Sequence, residues 1–183
     1  EVEKVHTGSR EDFLRSLEME LTISEAAEDD LQRAEELTVR TSQLNTTGRV
    51  FSYEELNMLR RSEDHMVLVA SLRDRFGSYG KIGLALLALR PELWTIQLLL
   101  MSCRVMSRGV GGVMLQRIMD MARERGVRLE AKFVETGRNR VMYITYRFAG
   151  FRELRRDGEV MTLGADLQGS HAPPAYVRVE CRV

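Results

Sequence analysis

A glycine-rich bend, Met106-Ser107-Arg108-Gly109-Val110-Gly111-Gly112, is the part of the sequence best suited to chemistry. It follows a nearly continuous apolar run from Trp94 to Met101, the pattern of a strand buried on both faces. Beyond it, Val110, Val113, Met114, Ile118, Met121 and Ala122 recur at three- and four-residue spacing until Gly126 stops the helix. In such a strand-turn-helix unit, successive backbone N–H groups open onto a helix N-terminus and form a cradle for phosphate or pyrophosphate. No Lys-Ser or Lys-Thr follows the glycines, which excludes a Walker loop, and the order GVGG is not GxGxxG. A purely structural turn is the other reading of the same residues.

Several function classes are disfavoured by composition. The 183 residues carry 27 basic and 27 acidic side chains, so bulk charge gives no support to nucleic-acid binding. No run of eighteen apolar residues suggests a membrane span, and the charged N-terminus is unlike a signal peptide, so a cytoplasmic setting is expected. The two cysteines, Cys103 and Cys181, fit no metal-ligand spacing. A hydrophobic content of 44% with only three prolines predicts one compact domain.

The elements that must position the bend read in order along the chain. Residues 9–17 predict a short helix, and residues 19–23 alternate as a first strand. Ser24 is placed to cap a helix with Ala27, Leu31, Ala34 and Leu37 facing inward. A polar loop, residues 41–48, leads to a short helix opened by Ser52. Strands from His65 to Leu72 and from Lys81 to Leu89 flank RDRFGSYG, a hairpin loop by its glycines, in which Asp74 and Arg75 are expected to pair. After the glycine bend and its helix come a strand at 127–134, a helix at 139–149, and a hairpin around Asp157-Gly158. The tail from residue 167 either adds an edge strand or hangs free. A meander followed by alternation predicts a mixed, mostly antiparallel sheet with helices on both faces.

Two motifs resemble those of the GNAT acyltransferases. Gly109 and Gly111 fall on the acyl-CoA pyrophosphate loop, although Met106 stands where that pattern has Gln or Arg. Asn139, Met142, Tyr146, Gly150 and Phe151 fall on the closing motif. The resemblance implies an α/β fold whose fourth and fifth strands splay apart, with pantetheine slotted between them. Val105, Arg108, Gly109, Val110, Gly111, Gly112 and Asn139 are then the residues expected around the donor.

From about Ser9 to Leu163 the chain also resembles the C-terminal region of FkbH-like proteins, in SREDFLRSL, TSQLNTT, DRFGSYG and LMSCRVMSRGVGG. That family joins a HAD-type phosphatase domain to a GNAT-like domain in polyketide assembly lines. The resemblance implies transfer of a glyceryl or similar short acyl group to acyl carrier protein phosphopantetheine, with no covalently bound cofactor. The chain shows no Asp-x-Asp-x-Thr motif, so the phosphatase half is a separate chain, or belongs in cis to a longer protein of which this is a fragment, or has been lost. On this reading residues 1–17 are a linker, 18–166 the acyltransferase domain, and 167–183 the tail.

The same resemblance implies a cysteine-bound acyl intermediate, for which Cys103 in SCRV is the candidate; a thiolate is nucleophilic enough for thioester exchange. Its other reading is a small hydrophobe in a core strand. Tyr146 is a general acid for a departing thiolate or a packed core tyrosine. Asn45 and Asp74 are the polar residues that the resemblance marks; Asn45 either orients an acyl group or closes an Asx turn, and the other reading of Asp74 is its pair with Arg75. His65 is the histidine that folding is most able to bring to Cys103; His6 and His171 lie near the ends. Asn139 is placed to cap its own helix. Arg104, Arg108, Arg138 and Arg140 form a steering patch for an acidic carrier protein, or ordinary surface charge. Besides the carrier-protein acyltransferase stand an amine N-acetyltransferase using acetyl-CoA, and a docking module without catalysis.

Overall fold

The computed structural model describes residues 2–169 and 172–183, with side chains from Gly8 onward. His171 and the His6 side chain lie outside the described residues. Helix α1 (Val2–Ser16) leads into β1 (Met19–Glu25), followed by α2 (Leu31–Arg40) and α3 (Tyr53–Arg61). A meander follows: β2 (His65–Asp74), β3 (Gly77–Leu89) and β4 (Leu93–Met101). Then come α4 (Val110–Arg125), β5 (Arg128–Val134), α5 (Arg140–Phe148), β6 (Arg152–Asp157), β7 (Val160–Gly164) and β8 (Val177–Arg182). The described strands form one sheet in the order β6-β7-β5-β4-β3-β2-β1-β8.

Alternation along the strands divides the core between the two faces. Leu68, Ala70, Ala85 and Leu87 face α1, α4 and α5, whereas Val67, Val69, Leu84 and Leu86 face α2 and α3. In β4 the alternation breaks. Ile96 and Leu99 lie on the first face, Leu98 and Leu100 on the second. The cause is a bulge: Leu86 is opposite Leu98 but Leu87 is opposite Ile96, leaving Gln97 as the extra residue. All the apolar positions read from the sequence of α4 are buried.

Several local signals behave as the sequence predicts. Ser52 caps α3 in a reciprocal box, its hydroxyl accepting from Glu55 N–H (3.1 Å) while Ser52 N–H donates to the Glu55 carboxylate (2.9 Å). Gly126 ends α4 at φ 73°, the left-handed conformation that glycine adopts without penalty.

Others differ. Ser24 caps no helix, because it pairs with both Val69 of β2 and Arg182 of β8. A 3-10 turn at Glu28–Asp30 precedes α2 instead. The β2–β3 loop shrinks to Arg75 and Phe76, because Gly77–Lys81 pairs across to Ser71–Asp74 through two register shifts. The tail adds an edge strand, β8, parallel to β1. At the other end of the chain, Leu14 and Leu17 are buried in the main core.

Candidate active site

The site is organised by a fork in the sheet. β4 and β5 pair in parallel only from Leu93–Ile96 against Arg128–Ala131. The Gln97 bulge then redirects β4, and the two strands run on unpaired with each other to Met101 and Val134. The edge groups left in such a fork require partners, since buried backbone amides are rarely left unpaired.

Their partners come from the loop between α2 and α3. Thr46 N–H donates to Leu99 O (3.1 Å) and Met101 N–H to Leu44 O (3.0 Å), flanking an antiparallel bridge between Asn45 and Leu100. On the other prong, Val134 N–H donates to Thr46 O (3.0 Å). The Thr46 hydroxyl takes the remaining edge donor, Leu99 N–H (3.0 Å). Residues 44–46 therefore lie in the plane of the sheet and fill the fork, each bond adding roughly 0.5–1.5 kcal/mol net.

Two asparagines hold this segment. Asn45 Oδ1 accepts from Thr47 N–H (3.0 Å) and Gly48 N–H (2.9 Å), an Asx turn, so its side chain is committed to its own loop. Asn139 stands at the N-cap position of α5 but makes no cap hydrogen bond with its side chain. Its Nδ2 donates to Asn45 O (2.9 Å) and Val134 O (2.8 Å), and its Oδ1 accepts from Thr136 N–H (3.1 Å). The expectation of a helix cap is corrected: Asn139 is a fully buried tie between the loop and β5.

Tyr146 projects from α5 into the same region. Its ring packs on Phe151 with centroids 5.0 Å apart, and the residue is fully buried. The hydroxyl nevertheless has no hydrogen-bond partner. Burial pushes the phenol well above its ordinary range, an effect that the neighbouring Thr46 hydroxyl only partly offsets. It is a permanently protonated donor at neutral pH.

The glycine bend is a 3-10 turn, Cys103–Arg108, closed by Gly109 at φ 72°, the residue that opens α4. The first amides of α4 have no intrahelical partners, and its N-terminus carries the positive end of the helix dipole. A cavity of about 300 Å³ adjoins it, lined by Gly109, Gly112, Val113, Gln116, Phe148 and Pro174 among others. Gly111 lets α4 approach β4 closely, since a Cβ there would stand 3.2 Å from Met101 Cγ. The tail crosses the bend, with Tyr176 Oη 2.8 Å from where a Gly109 Cβ would be.

Four expected site residues are placed elsewhere. Val105 is buried and its N–H donates to Ser102 O (3.1 Å), so neither side chain nor amide is free for a ligand. Val110 likewise points into the core. Arg108 folds back on the β2–β3 hairpin, donating to Tyr79 Oη (3.1 Å) with the Asp74 carboxylate 3.9 Å away. That carboxylate also accepts from Tyr79 Oη (2.8 Å) and Phe76 N–H (2.8 Å), so Asp74 pairs with these groups and not with Arg75. His65 is aligned through Ala88 with Thr95, at the far end of β4 from Cys103, on the order of 20 Å away. Its Nδ1 lies 2.9 Å from Ser62 Oγ.

Cys103 is neither in the strand nor in the core. It is exposed, in the first position of the 3-10 turn. Arg104, Arg138 and Arg140 are exposed as well, with Arg104 5.6 Å from the Tyr79 ring centroid. Among the described residues no cluster of three or more His, Cys, Asp or Glu is placed to hold a metal ion, and no helix is long and apolar enough to cross a membrane.

The sheet order, the fork and the glycine bend together define the GNAT acyltransferase fold. Among solved structures, the chain is similar to the ribosomal-protein-S18-alanine N-acetyltransferase from Escherichia coli: 17% identity, TM-score 0.63, covering 85% of this chain and 97% of that one. The GNAT domain of S. lividans PAT matches at 18% identity and TM-score 0.60, over 78% of this chain and 88% of that domain. The PaiA N-acetyltransferase from Thermoplasma acidophilum, in complex with coenzyme A, matches at 17% and 0.58, over 79% and 98%. No protein-family model matches the sequence, and no curated protein matches it.

These likenesses overturn the finer resemblance to FkbH-like proteins, because they run to GNAT N-acetyltransferases. The glyceryl group, the carrier protein and the phosphatase partner rested on that resemblance alone.

Proposed function

We propose that the protein is an acyltransferase that moves a short acyl group from an acyl-CoA to an amine. The observation that carries this reading is the fork between β4 and β5 with the unpaired Tyr146 phenol buried beside it. An acyl-CoA supplies an activated carbonyl: the amine nitrogen bonds to the acyl carbon and gives up a proton to solvent water, the carbon–sulfur bond breaks, and the sulfur leaves needing a proton.

The residues present fit such a donor at two places. The amides at the start of α4, beside Gly112 with open space before it, suit the negative pyrophosphate, and the adjoining cavity offers room for a nucleotide. The edges of the fork carry Leu99 N–H, Leu99 O, Met101 N–H and Val134 N–H, the donors and acceptor of a sheet edge, whose partners in this structure are Leu44 and Thr46. An extended arm with amide groups suits those edges. Tyr146 serves as the proton donor to the leaving sulfur; its raised pKa keeps the proton available at every physiological pH.

The test is thiol release from acetyl-CoA in the presence of peptide amino termini, lysyl peptides and small amines. Amine-dependent release by the wild type, lost in Tyr146→Phe while coenzyme A still binds, supports the reading. Absence of coenzyme A binding by calorimetry refutes it.

A further inference from the structure

We propose that residues 44–47 are a gate: in the state seen here they occupy the arm-binding edge of the fork, and an acyl donor enters only by displacing them. This rests on the acyl-CoA reading above. The hydrogen bonds that an extended arm would make at Leu99, Met101 and Val134 are already made by Leu44 and Thr46, in the plane of the sheet. Two strands of ligand and loop cannot use one edge at once.

Three features make the segment displaceable. It is held on β4 by two backbone hydrogen bonds and one to the Thr46 hydroxyl around an isolated bridge, not by a continuous strand, although Leu44, Asn45 and Thr46 are buried. It sits in the long connection between Arg40 and Tyr53, with Gly48 at φ 72° beside it as a point where the backbone can redirect. Its closed position also leaves a polar group unsatisfied. Tyr146 Oη is fully buried beside the Thr46 hydroxyl with no group placed to accept its proton, and native interiors rarely tolerate that. Opening the gate and admitting a donor sulfur gives this hydroxyl the partner it lacks.

Asn139 sets the closed state, because its Nδ2 holds the carbonyls of Asn45 and Val134 together across the fork. The gate therefore couples donor entry to the β5–α5 connection that presents Tyr146.

Amide-resolved hydrogen exchange on the whole protein, titrated with coenzyme A, tests this. Binding is expected to speed exchange at Thr46 N–H at least tenfold while Leu99 and Met101 N–H stay protected, their partner now being the ligand. Thr46→Ala, which removes the hydroxyl acceptor from Leu99 N–H, is expected to bind coenzyme A about tenfold more tightly. Coenzyme A bound with Thr46 N–H still protected, and with equal affinity in Thr46→Ala, overturns the gate and leaves the transfer reading standing. No binding to either folded protein overturns both.

Discussion

The side-chain amide of Asn139 donates at once to the backbone carbonyls of Asn45, 2.9 Å away, and Val134, 2.8 Å away. Asn45 lies 94 positions from Asn139 in sequence, and Val134 only five. One short side chain thus joins the loop that fills the fork to the strand that forms its wall.

Asn139→Ala leaves two carbonyls and the Thr136 N–H short of a partner, and is expected to cost about 2–4 kcal/mol. Asn139→Asp keeps the shape but sets a carboxylate against two carbonyl oxygens, and should cost at least as much. Urea denaturation checks both; a loss under about 0.5 kcal/mol would show that water replaces the side chain.

Tyr146→Phe removes a buried hydroxyl that has no partner, so its stability should equal or slightly exceed that of the wild type. Amine-dependent transfer should nonetheless fall by about 100-fold or more. Opposite effects on stability and rate separate a proton donor from a core tyrosine.

The same pair of proteins gives a pH signature. The folded phenol titrates far above its ordinary 10.0, so the wild type carries its full contribution below pH 10 and loses it as pH rises further. Between pH 10 and 11 the unfolded chain gives up this proton and the folded one keeps it. Wild-type stability should therefore fall relative to Tyr146→Phe by about 1.4 kcal/mol per pH unit at most.

Gly109 and Gly112 should respond differently to alanine. Gly109→Ala puts a side chain at φ 72° with Tyr176 Oη 2.8 Å away, and should destabilise by about 1–2 kcal/mol. Gly112→Ala meets nothing within 4 Å in a helix, so stability should rise by about 0.5 kcal/mol while coenzyme A affinity falls, because the methyl enters the cavity. Thermal melts and calorimetry on the two variants decide it.

Arg108→Ala should lower stability, by about 1–3 kcal/mol, because Tyr79 and the fully buried Asp74 carboxylate lose their cationic neighbour. Its effect on coenzyme A affinity should stay within about threefold, since the guanidinium points at the hairpin. A tenfold loss of affinity without a change in melting would place Arg108 on the ligand instead.

The local half of this architecture is legible in the chain itself. Glycine after an apolar run, three- and four-residue spacing from Val110 to Ala122, and Ser52 with Glu55 each act within a few residues, so their consequences follow from nearest neighbours. The glycine bend and the fork were both expected, the latter through the likeness to acyltransferases. What the residues alone misassign are polar side chains with several partners in reach. For Arg108, Asn139 and Asp74 the choice depends on which segments the sheet brings beside them.

Sequence by itself determined most of the strands and helices and the place of the bend, because hydrophobic period and backbone freedom are properties of short stretches. Only the tertiary structure decided what fills the fork. The Asn45–Leu100 bridge and the Thr46–Val134 bond join distant parts of the chain through backbone groups, which every residue shares and no side-chain pattern encodes.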